Sequence, residues 1–280
     1  MNWLPTCDAE ETDALFSLPE MLAVQRGARL TVLSQTDSTN HVLRDLVLAG
    51  APQGQAVISL EQSAGKGRQG KRFFSPRGGL YLSYYMALSR TAQDCTEVTC
   101  GVAVALCRVL ERVCGAQPTI KWVNDVLLHG KKVAGILVQR LPDAPDMCSS
   151  RLLIGVGVNV APVSFSPPLS DFVTSLCAAG FPCTLQALAC ALLEELDTLT
   201  DVLQAGKEEQ AQDYHRQYRL HFQMLGKQIR ILDGTRTREA KVLDLLPDYG
   251  LLVREQDGSN HVLYSGEISV RGMTGYAPEQ

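Results

Sequence analysis

The segment Glu61 to Pro76, EQSAGKGRQGKRFFSP, limits the fold of this chain more than any other. Gly65, Gly67 and Gly70 satisfy a G-x-G-x-x-G dinucleotide fingerprint, and Gly65, Gly70 and Lys71 satisfy most of a phosphate loop, with Arg72 where that loop needs Ser or Thr. Both patterns require a helix to begin at the loop. Here Phe73-Phe74-Ser75-Pro76 and the pair Gly78-Gly79 follow instead, and Leu80 to Leu88 reads as a strand. Neither fold therefore fits, and the loop joins the strand Gln55 to Leu60 to the strand Leu80 to Leu88. Its glycines let backbone N–H groups turn inward, and Lys66, Arg68, Lys71 and Arg72 add charge and forked donors. A solvated basic surface is the plain alternative; an anionic substrate is the sharper one.

The charge balance makes that loop a local feature. The chain carries a net charge of −4 with a pI near 5.8, which argues against a general nucleic-acid binder. At 280 residues and 45% hydrophobic it can bury one large core, with room for a small second domain. The nine cysteines contain no C-x-x-C pair and the five histidines no H-x-x-x-H spacing, so free, mostly buried thiols in a reducing cytosol are expected, and no metal site. No run of 18 apolar residues and no basic-then-apolar start is present, so neither a membrane span nor a signal peptide is expected.

Along the chain, Asp8 to Arg26 could hold one short helix, too short for a helix-turn-helix domain. Arg29 to Ser34 is a strand. Gln35 to Asn40 is a polar loop in which Asp37 or Ser38 can cap a helix running to Leu48; its hydroxyl and amide groups also suit a neutral ureido or amide ligand. Glu97 to Cys114 has the apolar spacing of a helix with one buried face, ended by Gly115. Thr119 to Arg140 reads as a hairpin turning at His129-Gly130-Lys131-Lys132, with Lys121, Asn124, Asp125 and Lys132 embedded in core-like sequence. Buried charges need partners, so this placement points to a lined pocket. Arg151 to Val160 is an apolar strand whose Gly155 and Gly157 suit close ligand approach. Ala161 to Ser170, rich in Pro and Ser, is expected to be an irregular lid. Helices follow over Leu185 to Gln204 and Glu208 to His221. From Gln228 on, four or five short strands indicate a small β-barrel, with the boundary near Leu225. The expected organisation is an N-terminal extension (1–28), a catalytic domain (29–224), a small barrel (225–272) and a tail (273–280).

Five segments, in order, now form a pattern. Asp37-Ser38-Thr39-Asn40, Gly65 to Lys71, Lys121 to Asp125 with Lys132 to Ile136, Gly155 to Asn159 and Gly266 to Arg271 resemble the D-S-T-N, G-R-G-R-x-G-R, K-W-P-N-D with K-x-A-G-I, G-x-G-x-N and G-E-I-S-x-R motifs of the biotin protein ligases. The resemblance runs from Arg29 to Arg271 and is to the form without an N-terminal DNA-binding domain. It implies an α+β fold: a mixed sheet related to class II aminoacyl-tRNA synthetases and lipoate ligases, then an SH3-like barrel. It further implies that biotin and Mg-ATP give biotinyl-5′-AMP, from which a lysine of a biotin carboxyl carrier domain takes the biotinyl group.

Carried over by position, the resemblance puts Ser38, Thr39, Asn40, Ser63, Gly65, Lys66, Gly67, Arg68, Lys132, Gly155 and Gly157 around biotin. Lys71, Phe73, Asn124 and Asn159 fall around the nucleotide, and the catalytic roles go to Arg68, Lys132 and Asp125. Arg68 and Lys132 would offset charge built up in adenylation, and Asp125 would assist or steer the carrier lysine. Departures are Lys66 where the family has Arg, Val123 where it has Pro, and Gln139 where a glutamate is common. A lipoate or octanoate ligase shares the catalytic fold, but the hydroxyl-rich Asp37 to Asn40 loop suits a ureido ring better than a dithiolane. A biotin-responsive repressor needs a winged helix that the segment before Arg29 is too short to supply, so no specific DNA binding is expected. A homodimer is compatible with this reading.

Overall fold

The computed structural model describes residues 27–272, apart from 90–94, 143–149, 163, 164, 166, 168, 207, 234, 235 and 265–267. The short helix expected within Asp8 to Arg26, the tail, the Asp233-Gly234 turn, most of the loop before Ser150, and Gly266 and Glu267 of the last motif lie outside the described residues.

A seven-stranded mixed sheet forms the larger layer, in the spatial order β1-β2-β3-β7-β6-β5-β4. Its strands are β1 (Leu30–Leu33), β2 (Ala56–Ser59), β3 (Gly79–Leu88), β4 (Thr119–Lys121), β5 (Asp125–Leu128), β6 (Lys131–Leu141) and β7 (Ser150–Asn159). Among the described strands of this sheet β1 and β2 alone pair in parallel; they are joined through α1 (Thr39–Leu48), as a crossover requires. The β5–β6 turn puts His129 at φ 49° and Gly130 at φ 74°, the left-handed pair that a two-residue hairpin uses.

Period-two alternation divides the sheet between two apolar layers. Ala56, Ile58, Tyr84, Met86, Leu152 and Ile154 face a large core with α2 (Thr96–Cys114) and α3 (Leu185–Gln204), while Val57, Tyr85 and Leu153 face Leu43 and Val47 of α1. Gly115 closes α2 in the left-handed conformation at φ 66°, and the Thr184 hydroxyl accepts from the Ala187 N–H to cap α3. The seven described cysteines are thiols and not disulfides.

A second, antiparallel sheet runs β11-β10-β9-β8-β12, from β8 (Gln228–Asp233), β9 (Arg236–Leu245), β10 (Leu251–Glu255), β11 (Asn260–Leu263) and β12 (Ile268–Gly272). Its apolar face joins the large core: Ile229, Val242 and Leu251 are continuous with Leu106 and with Tyr218 of α4 (Glu208–His221). The Trp122 indole N–H donates to the Tyr249 carbonyl at 3.0 Å, and Arg219 pairs with Asp244 at 2.7 Å. The small sheet is thereby fixed against the β4–β5 end of the large one. The segment expected to be wholly irregular contains one short 3₁₀ turn, Leu169–Asp171, because Leu169 lies beyond the prolines that block a helix.

Candidate active site

Glycines aligned across the large sheet create the site. The register places Lys121 opposite Asp125, Asp125 opposite Gly135, Gly135 opposite Gly157, and Gly157 opposite Tyr81. One row away, Leu137 pairs with Gly155 and Gly155 with Ser83. Two adjacent glycines in one row and a third beside them remove side chains from the α1 face and leave a trough. Neighbours fill the vacated space: a Cβ on Gly157 would meet the Phe73 ring at 2.5 Å, one on Gly135 the Lys132 ammonium at 2.9 Å, and one on Gly155 the Asn40 side chain at 2.8 Å.

One end of the trough is neutral and polar. The Ser83 hydroxyl bridges Thr39 Oγ1 at 2.7 Å and Asn40 Oδ1 at 2.5 Å, and the Asn40 amide donates to Gln139 Oε1 at 2.8 Å. Gln62 Oε1 accepts from both the backbone N–H and the hydroxyl of Thr39, while its amide donates to Ser75. Ser38 begins α1, yet its side chain makes no capping bond; Asp37 Oδ1 instead accepts from the Ser38 N–H at 2.6 Å. The buried Ser38 hydroxyl is thus not consumed by the helix end. Ser38, Thr39, Asn40 and Gln62 line an inner cavity of about 60 Å³ with Gly155 and Gly157 as part of its floor.

The other end is cationic. Lys66, Gly67, Arg68, Phe73, Asn124 and Lys132 line the inner cavity, and all but Lys66 also line an outer cleft of about 630 Å³. Arg68 donates to Asn124 Oδ1 at 3.1 Å, and the Asn124 amide donates to the Ile136 carbonyl at 2.9 Å, so strand β6 orients the guanidinium through an amide. Asp125 bridges Lys132 at 2.5 Å and Lys121 at 3.4 Å, with all three side chains largely buried. The Lys132 ammonium stands 5.6 Å from the centre of the Phe73 ring. In the outer cleft six basic side chains, Arg68, Lys71, Arg72, Lys121, Lys132 and Arg230, surround one carboxylate, Asp125. Phe73, Phe74, Phe165, Phe172 and Trp122 supply aromatic walls. The arrangement can seat a polyanion with a flat ring system. Among the described residues no group of three or more His, Cys, Asp or Glu could hold a metal.

Most expected site residues converge here. Ser38, Thr39, Asn40, Lys66, Gly67, Arg68, Lys132, Gly155 and Gly157 line the inner cavity, and Lys71, Phe73, Asn124, Asp125 and Asn159 the outer cleft. Ser63 and Gly65 line neither. The Ser63 carbonyl accepts from Arg72, and Gly65 is locked beneath Ser75 and the Phe73 carbonyl, both within 2.6 Å of where its Cβ would stand, so the two residues build the loop and do not face the cavity. Gln62, Tyr81 and Gly135, not singled out from the sequence, stand in the lining, and Arg230 and Leu232 reach the outer cleft from the small sheet. Glycine spacing could have flagged Gly135, which begins the G-I-L segment; Arg230 carries no local signal.

The chain is similar to several known proteins. Over 92% of this chain and 78% of its own length, the "Bifunctional ligase/repressor BirA" of Escherichia coli strain K12 is 28% identical. The biotin–acetyl-CoA-carboxylase ligase of Paracoccus denitrificans is 38% identical over 133 residues, 46% of this chain and 54% of that protein. In fold, the chain is similar to a solved structure described as biotin protein ligase from Aquifex aeolicus in complex with biotin and ATP, with a TM-score of 0.72 at 23% identity, covering 86% of this chain and 98% of that one. Residues 32–159, which carry much of the trough and its polar and cationic ends, match the model of the biotin/lipoate A/B protein ligase family.

Proposed function

We propose that the protein attaches biotin to a lysine of a biotin carboxyl carrier domain in an ATP-dependent reaction that passes through biotinyl-5′-AMP. The observation that carries this reading is the trough itself: a neutral hydrogen-bonding pocket at one end, a floor of glycines, and a cationic, aromatic-walled cleft at the other. That order matches an acid with an uncharged polar ring, an aliphatic chain and a carboxylate that meets a nucleotide. The ureido group has both donors and acceptors to exchange with Ser38, Thr39, Asn40 and Gln62, which a dithiolane lacks. The valerate runs along the trough, and the Phe73 ring, which lies against Gly157, gives way to it.

In the first step the biotin carboxylate attacks the α-phosphorus of ATP and pyrophosphate leaves. Two anions must approach, and Arg68 and Lys132 oppose the charge that builds between them. Asp125, tied to Lys121 and Lys132, holds the Lys132 ammonium over the floor. Magnesium enters as part of the Mg-ATP substrate. The aromatic walls and Asn159 receive the adenosine. In the second step Asp125 steers the incoming lysine ammonium, which gives up a proton to solvent; the resulting amine attacks the acyl carbon, the acyl–phosphate C–O bond breaks so that AMP leaves, and the amide nitrogen loses its extra proton to solvent.

We infer as well that the mixed sheet is akin to that of class II aminoacyl-tRNA synthetases, that the small sheet closes as an SH3-like barrel, and that the protein resides in the cytosol. Among the described residues no helix is long and apolar enough to cross a membrane. The test is ATP–pyrophosphate exchange with biotin or lipoate as the acid. Exchange driven by biotin and not by lipoate supports the reading; the reverse overturns it.

A further inference from the structure

Asp37, His41 and Lys66 form a chain of charged and titratable groups that the steps above do not use. His41 Nδ1 stands 2.8 Å from Asp37 Oδ2, and His41 Nε2 stands 2.5 Å from the Lys66 ammonium. A carboxylate can only accept and an ammonium can only donate. Both contacts therefore demand the same neutral tautomer, with the proton on Nδ1 and the Nε2 lone pair aimed at Lys66. Among the described residues, Asp37 and Lys66 are the charged side chains in contact with His41.

The far end of the chain is fixed. Asp37 Oδ1 accepts from the Ser38 N–H at 2.6 Å and from the Thr36 hydroxyl at 3.2 Å, and its carboxyl is held below the usual carboxylate range, chiefly by the His41 hydrogen bond. The near end needs fixing. Lys66 lies on the glycine loop, its backbone held by a bridge to Arg72, but its side chain is exposed and unbranched. An ammonium on a flexible stem lacks the planar fork that would orient an arginine at this position. His41 sits on α1 next to Thr39 and Asn40, which line the inner cavity; it lines neither cavity itself.

We infer that His41 is a positioning residue that holds the Lys66 ammonium over the inner cavity, setting retention of the acid and of its adenylate. This rests on the inner cavity being the biotin pocket. The geometry couples the polar end of the trough to its cationic rim through one imidazole.

The test uses the full chain with His41→Ala, His41→Gln, Lys66→Met and the His41→Ala/Lys66→Met double variant, assayed by pyrophosphate exchange with biotin and ATP varied in turn. His41→Ala should raise the KM for biotin and the off-rate of preformed adenylate by roughly tenfold, the scale of one lost hydrogen bond to a charged group. The KM for ATP and kcat should stay within about threefold on that same scale. Glutamine can accept from Lys66 and donate to Asp37, so His41→Gln should recover most of the loss. On the Lys66→Met background His41→Ala should add nothing. An unchanged biotin KM in His41→Ala, or full additivity with Lys66→Met, overturns the role of His41 while leaving the biotin reading intact. A wild-type enzyme with no biotin-dependent exchange overturns the pocket assignment and this role together.

Discussion

A single methyl group on the floor of the trough tests whether the ligand lies where the glycines are. In Gly157→Ala the new Cβ would lie 2.5 Å from Phe73 Cε1 and 2.8 Å from its Cζ, where ordinary contact begins at 3.4 Å. The ring must retreat by roughly 0.9 Å to relieve the overlap. Tyr81 lies edge-on at 6.4 Å between ring centres, and the Gly135 position is 3.1 Å from Cε2, so only the outer cleft is open to it. Overpacking costs about 1–3 kcal/mol in a closed core, and this partly exposed ring should lie near the lower end, a fall in Tm of roughly 2–4 °C. Binding should suffer more, because methyl and displaced ring both stand where the acid must pass. At about 1.4 kcal/mol per factor of ten, a rise of at least roughly tenfold in the KM for biotin follows, with the KM for ATP little changed. The assay is pyrophosphate exchange with biotin varied, beside a thermal melt. Gly101→Ala is the control: its Cβ would press on Leu199 at 2.8 Å inside the α2–α3 packing, lowering Tm without altering the biotin KM. A Gly157→Ala protein with a native melt and a biotin KM within twofold of wild type would refute the trough as the path of the acid.

Lys132→Ala should lower the rate of adenylation at saturating substrates by roughly 10²-fold or more, the scale of losing one preorganised electrostatic contact; single-turnover pyrophosphate release measures it, and a change confined to biotin affinity would make Lys132 a binding residue only. Arg68→Gly removes the guanidinium that Asn124 orients, so biotinyl-adenylate should dissociate faster and label lysines of bystander proteins, read by a filter-binding off-rate and by blotting for biotin. The carboxyl of Asp244 is held below its usual range, chiefly by the Arg219 hydrogen bond that ties α4 to β9. A depressed folded value means that the stabilisation is fully present above the unfolded carboxylate range and is lost as pH falls through the lower folded value. Urea unfolding of wild type against Asp244→Asn should accordingly show a stability difference that is constant near neutrality and vanishes in acid.

How far the site could be read from sequence depends on whether its geometry is local. Strand alternation is local: Val57 faces α1 while Ala56 and Ile58 face α2 and α3, as period two requires. Gly155 and Gly157 are legible for the same reason, since a two-residue spacing puts both on one face. Which face, and that Gly135 completes the row, depends on cross-strand register that no single segment encodes. Gln62 escaped notice because the regular strand ends at Ser59. Beyond it, bridges to Thr36 and Ser75 turn the chain so that Gln62 faces the cavity and Ser63 faces away. Arg230 comes from a sheet far along the chain, and its approach to Lys121 and Asp125 follows from contacts such as Trp122 to Tyr249 and Arg219 to Asp244.

The same division explains why the cationic end has more than one support. Arg68 is oriented from β6 through Asn124, Lys132 from β5 through Asp125, and Lys66 from α1 through His41. Each cation that would face the reacting anions is thus held by a different structural element. Without those holders, like charges so close together would splay into solvent, where their mutual repulsion is weakest. Lys66 and Arg68 could be recognised in the sequence as part of one basic cluster, and Lys132 as a charge embedded in core-like sequence. The groups that keep them converged, an amide, a carboxylate and an imidazole on three separate elements, became visible only once those elements were packed. Preorganisation is the part of the site that the fold contributes, since donors already in place need not be reordered when charge develops between carboxylate and phosphate.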